Sequence, residues 1–180
     1  MIRATQGGPA PVGWLALFLA LVIVQRAGEL ALSARNARRL RARGARESGA
    51  GHFPLLVLVH VLFPLGLAGE VLLLGARPGP LAPLWLALWL AAQALRYAAV
   101  RALGERWNVR IWVLPGAPLV HSGPYRFLRH PNYVAVAAEL LAAPLIFGAW
   151  RTALGISLLN LVALRIRIRA ENEALGVTSP

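Results

Sequence analysis

SGPYRFLRHPNYVAVAAELL, residues 122–141, packs Pro124, Tyr125, Arg126, Arg129, His130, Pro131 and Tyr133 into one short stretch and then turns almost wholly apolar. Gly123 and Pro124 force a turn, and Pro131 suits the first turn of a helix, where its missing N–H has no partner to lose. The stretch therefore reads as the entry to a helix whose body is hydrophobic. A helix N-terminus offers free amides to an anionic group, with arginine, histidine and tyrosine side chains around it. An interfacial belt of aromatic and arginine residues has the same composition, so the pattern alone leaves both readings open.

Working outward, the 180-residue chain is 58% hydrophobic and only 14% charged, with a mean hydropathy of +0.60, a profile of membrane proteins. A bilayer core about 30 Å thick needs about 20 helical residues at about 1.5 Å each. Apolar runs of that order lie at residues 12–32, 53–74, 81–100, 132–147 and 150–164. The last two are separated only by Gly148 and Ala149, which predicts a tight helical hairpin. The expected fold is all-α: one polytopic integral membrane bundle of about five transmembrane helices, ending in a C-terminal helical hairpin. Residues 1–100 supply three spans and an arginine-rich loop; residues 101–180 supply the motif, the hairpin and the tail. Gly75, Pro78, Gly79, Pro80 and Pro83 mark a short turn, and the residues to about Gly8 are expected to be loose.

All 19 basic residues are arginine, giving a net charge of +12. They sit between apolar runs, which points to topology and anionic lipid contact rather than nucleic acid. The segments 33–50, 101–131 and 165–169 hold 14 of them, against Arg3, Arg77 and Arg151 on the other side. The N-terminus is thus expected outside, with the motif and the C-terminus cytosolic. There is no cysteine, and His52, His60, His121 and His130 lack zinc-ligand spacing, so no metal centre is expected.

Ionisable residues within spans are costly and therefore notable: Glu29, His60, Glu70, Arg96 and Glu139. Arg26 and Glu29 have the spacing of a helix-surface ion pair, and Glu70 can pair with Arg96 between helices. Glu139, two turns past Asn132, is a candidate for contact with a substrate. In the tail, LRIRIRAENEAL (residues 164–175) alternates like a strand, but the apolar helix behind it favours helical continuation. On a helix, Arg167 and Glu171 share one face, and Arg165 and Arg169 another.

LVHSGPYRFLRHPNY, the hairpin and the downstream RIRAE together resemble the isoprenylcysteine carboxyl methyltransferase family, membrane enzymes that use S-adenosylmethionine. The resemblance covers roughly residues 101–175. It implies that Val120, Tyr125, His130, Pro131, Asn132, Tyr133 and Glu171 hold the cofactor, that Arg167 lies near the acceptor, and that Arg167 and Glu171 are the catalytic candidates. Glu139 joins Arg167 as a candidate for binding the acceptor. Where the eukaryotic members carry a cofactor-contacting histidine before the Leu-Val pair, this chain has Ala117, with His121 nearby and out of register. The longer run RWNVRIWVLPGAPLVHSGPYRFLRHPNYV is most similar to a bacterial branch associated with O-methylation of alkylpyrones, which implies a bacterial inner membrane. The expected activity is methyl transfer to a carboxylate or an enolic or phenolic hydroxyl on a lipid-like acceptor, an alkylpyrone or a prenylcysteine-type carboxylate. Phospholipid N-methyltransferases, NADPH-dependent membrane reductases and non-catalytic membrane scaffolds are the alternative readings.

Overall fold

A computed structural model describes residues 12–176. The looseness expected up to Gly8, and the side on which Arg3 lies, fall outside the described residues. Five helices form the body: α1 (Val12–Ala42), α2 (Phe53–Leu72), α3 (Ala82–Leu103), α4 (Pro131–Ile146) and α5 (Trp150–Leu175). Proline occupies the first turn of α2, α3 and α4, as Pro131 does in α4, where it costs no hydrogen bond. α4 packs on α3 and α5, and α2 packs on α5, while α1 touches the rest sparsely. Small residues permit the close α3–α4 approach: Ala92 and Ala99 face inward from one helix, Ala135, Ala142 and Ala143 from the other. Near its start α1 is anchored by Phe18, whose ring lies 5.2 Å from those of both Trp89 and Phe147.

Large apolar side chains cover the outside, among them Trp14, Leu21, Leu65, Leu90 and Leu158. By length and composition, α1 and the stretch Ala50–Leu72 are able to cross a bilayer. α4 is short, at 16 residues; α3 carries Arg96 and Arg101 in its second half, and α5 carries Arg151 in its first turn and a charged stretch from Arg165 onward.

Two local expectations need correction. The segment expected as a loop from Ser33 is helical to Ala42, because a run of Ala and Arg residues has high helix propensity and nothing breaks it before Gly44. The all-helical expectation also omits a small antiparallel sheet, in which β1 (Arg46–Ser48) pairs with β2 (Ile111–Val113) in the register Arg46↔Val113, Glu47↔Trp112, Ser48↔Ile111. As anticipated, the tail continues α5 as helix through the alternating arginines.

The hairpin between α4 and α5 depends on Gly148. Its φ is +73°, and a Cβ there would sit 2.0 Å from the carbonyl oxygen of Arg77 in the loop after α2. Beside it, the Glu70 carboxylate accepts hydrogen bonds from the backbone N–H of Arg151 (3.1 Å) and of Thr152 (2.7 Å) and from the Thr152 hydroxyl (2.7 Å). Glu70 thus caps the N-terminus of α5, where the helix dipole favours an anion, instead of pairing with Arg96. Gly148→Ala is expected to lower stability by more than the roughly 1–2 kcal/mol of a left-handed non-glycine residue, because Arg77 backbone must also move. Gly155→Ala meets nothing within 4 Å and should leave the melting midpoint in detergent unchanged or higher. Equal midpoints for the two variants would contradict this.

Candidate active site

The extra turns of α1 build the floor of the site. Ser33 and Asn36 are both buried. Ser33 Oγ donates to Asn108 Oδ1 at 2.8 Å while Asn108 Nδ2 donates to the Ser33 carbonyl at 2.9 Å. Asn36 Nδ2 donates to the carbonyls of Trp107 (2.8 Å) and Gly104 (3.2 Å). Farther along, Arg39 pairs with Glu105, and Arg110 with Glu47 at 2.5 Å. These bonds tie the segment 104–113 to the C-terminal part of α1 and to β1, and its strand β2 packs on α5.

At the centre lies a compact cluster. The Tyr133 hydroxyl donates to the Glu171 carboxylate and accepts from Arg167 Nε at 2.7 Å. The Arg167 guanidinium also lies 5.5 Å over the Tyr133 ring, within cation–π range. His130 stacks on Tyr133 with ring centroids 5.2 Å apart and planes 18° apart, and its Nδ1 is 3.9 Å from a Glu171 oxygen. On the other side Arg167 Nη1 is 3.5 Å from His52 Nε2. Burial, with Glu171 nearby, pushes the Tyr125 phenol up, so it stays protonated and keeps a donor.

Two cavities meet at this cluster. One, of about 390 Å³, is the more polar of the two and is lined by Val120, His121, Tyr125, Arg129, His130 and Glu171. The other, of about 440 Å³, is apolar and runs between α1 and α2 past Ile23, Leu30, Phe53, Leu56 and Val61. Trp107, Asn108, Asn132, Tyr133 and Arg167 line both. Among the described residues, buried Trp107 Nε1, Trp112 Nε1 and Asn132 Oδ1 have no protein hydrogen-bond partner. All three residues border the polar cavity.

The sequence candidates fall in three places. Val120, Tyr125, His130, Asn132, Tyr133 and Glu171 line the polar cavity, and Arg167 lies on the wall between the two. Pro131 is buried at the head of α4 and lines neither, so its part is to start the helix that presents Asn132 and Tyr133. Glu139, expected to contact a substrate, is 3% exposed and lines neither of these two cavities. Its oxygens instead accept from Arg96 Nε and Nη2, both at 2.5 Å, and from Arg26 Nη2 at 2.7 Å. That also corrects the partner of Arg96, which is Glu139 and not Glu70. The Arg26–Glu29 pair is present at 2.6 Å. At the departure noted above, His121 faces the polar cavity whereas Ala117 does not line it. Sequence reasoning missed Trp107, Asn108 and His52, whose roles depend on contacts far apart in the chain; the run RWNVRIW contains the first two.

Residues 85–177 match the family described as "Isoprenylcysteine carboxyl methyltransferase (ICMT) family". Among curated proteins, the chain is 43% identical over 162 residues to the uncharacterized protein YpbQ of Bacillus subtilis, covering 88% of this chain and 95% of that protein. It is 29% identical over 162 residues to an uncharacterized protein of Haemophilus influenzae, covering 89% and 94%. No solved structure matches the chain significantly.

Proposed function

The chain belongs to the isoprenylcysteine carboxyl methyltransferase family, a membership that implies a membrane methyltransferase, and on that premise we propose an S-adenosylmethionine-dependent O-methyltransferase of lipid-like acceptors. The acceptor's reacting oxygen is a carboxylate or an enolic or phenolic hydroxyl, with alkylpyrones and prenylcysteine-type carboxylates as the classes the family resemblance brings. The observation that carries the proposal is the meeting of a polar and an apolar cavity at one wall that includes Arg167.

The polar cavity suits the cofactor. Tyr125, His130 and Glu171 line it with donors, an aromatic face and a negative charge for an ammonium or sulfonium. When bound there, S-adenosylmethionine supplies an electrophilic methyl group. Arg167 does the remaining work from this chain. Its Nε is committed to Tyr133 and its Nη1 lies against His52, which fixes the plane of the fork on the wall between the cavities, where it would orient an acceptor oxygen and favour its anion. Glu171 anchors Tyr133 from the other side, which keeps the wall rigid. The apolar cavity between α1 and α2 excludes water and takes the acceptor's tail, so alignment supplies much of the rate.

In this reading all five helices cross the bilayer, with the N-terminus outside and the site at the cytosolic face of a bacterial inner membrane. Support comes from the linked arginine-rich segments at the site end of the bundle and the gathering of Glu70, Arg77 and Arg151 at the opposite end. A polar cofactor then arrives from the cytosol and the acceptor from the membrane, with anionic lipids and no nucleic acid as neighbours. Calorimetry on the purified, folded chain should show binding of S-adenosylmethionine and none of NADPH. NADPH binding in its place would move the chain to a reductase reading, and binding of neither would leave a scaffold.

A further inference from the structure

The apolar cavity has polar groups at both ends, and the proposed reaction uses only the end at Arg167. Phe53 lines the cavity near that end, and His60 lines it seven residues farther along α2, which is roughly 10 Å deeper at helical rise. Arg26, Glu29 and Arg96 reach the wall at this depth as well, but they bind one another and Glu139. Arg26 bonds Glu29 at 2.6 Å and Glu139 at 2.7 Å, and Arg96 bonds Glu139 twice. With two positive and two negative charges, that cluster is self-satisfied.

His60 is not. Its Nδ1 lies 2.8 Å from the carbonyl oxygen of Leu56 in the turn below. A carbonyl only accepts, so Nδ1 carries the proton and Nε2 is left as a bare acceptor on the far edge of the ring. Among the described residues, no group donates to Nε2. An acceptor held at low dielectric discriminates strongly between ligands that can donate to it and ligands that cannot.

We propose that His60 is a second recognition point for the methyl acceptor, reading a hydroxyl carried on its apolar portion roughly 10 Å from the methylated oxygen. The inference rests on the reading that the acceptor lies in the apolar cavity with its oxygen at Arg167. The substrate class is thereby narrowed from any long-chain acid or enol to one with a hydrogen-bond donor within its chain. A plain alkyl tail fills the same space and leaves Nε2 unmatched.

The test uses the full chain in lipid nanodiscs with two probes, octadecanoate and its mid-chain hydroxyl derivative, each titrated with S-adenosylmethionine present. The wild type should bind the hydroxylated probe about fivefold or more tighter, the range of one hydrogen bond to a buried acceptor. His60→Phe should abolish the preference and leave the affinity for octadecanoate and for S-adenosylmethionine in place. His60→Gln retains an acceptor and should restore part of the preference, which keeps the test usable if the Phe variant folds poorly. A wild type that binds both probes equally or neither, or a preference that survives His60→Phe, overturns the proposal. If S-adenosylmethionine itself fails to bind, it is the methyltransferase reading that fails, and the same samples separate the two cases.

Discussion

Replacing Arg167 by alanine is expected to cut methyl transfer about a hundredfold or more, the cost of losing near-attack alignment of a bound reactant. S-adenosylmethionine binding should stay within a few-fold. The asymmetry follows from position: Arg167 is one residue of the polar cavity wall among many, but it is the cationic fork at the junction where that cavity meets the apolar one. Tyr133 remains tied to Glu171 in the variant, so the polar cavity keeps its shape. Arg167→Lys should not restore turnover. One ammonium cannot hold the Tyr133 hydroxyl, now 2.7 Å from Nε, and also present a planar pair of donors to an acceptor oxygen. The measurement is incubation of membranes with labelled S-adenosylmethionine and mass spectrometry of the lipid fraction, following a product heavier than its precursor by one methylene. A variant that keeps more than about a tenth of wild-type turnover has lost less than about 1.4 kcal/mol of transition-state stabilisation, and Arg167 would then not be the orienting group.

What could be read from the sequence was local or periodic. The turn at Gly123, the helix start at Pro131 and the hairpin at Gly148 are punctuation that glycine and proline write directly into the chain. The shared face of Arg167 and Glu171 follows from helical spacing once α5 is taken as continuous, and the structure buries Arg167 while leaving Arg165 and Arg169 exposed. What could not be read was pairing across long separations. Ser33 meets Asn108 at a separation of 75 residues, and Arg26 meets Glu139 at 113, and neither contact leaves a period or a spacing behind. Glu139 shows the consequence. A carboxylate inside an apolar helix stands out in the sequence, but whether it faces a ligand or a pair of arginines depends on the rotation of three helices.

That pairing makes Glu139 the site of the largest expected loss of stability. Its carboxylate is the common acceptor for Arg96, 2% exposed on α3, and for Arg26 on α1. Glu139→Ala leaves two guanidiniums to share Glu29, which already binds Arg26 at 2.6 Å and reaches Arg96 only at 3.4 Å. An unpaired charge buried in this way costs about 3–5 kcal/mol, and α1, sparsely packed elsewhere, should detach from the bundle first. The expected signature is a lower melting midpoint in detergent and faster proteolysis between α1 and α2. Adding Arg96→Leu to Glu139→Ala should recover much of the loss, because Arg26 and Glu29 then remain as a matched pair and no orphaned charge is left. A role confined to the buried ion cluster thus predicts a coupling of about 1–3 kcal/mol between positions 96 and 139. If the losses from the two single substitutions simply add in the double variant, Glu139 is not acting as the counterion of Arg96, and a direct part in binding returns to consideration.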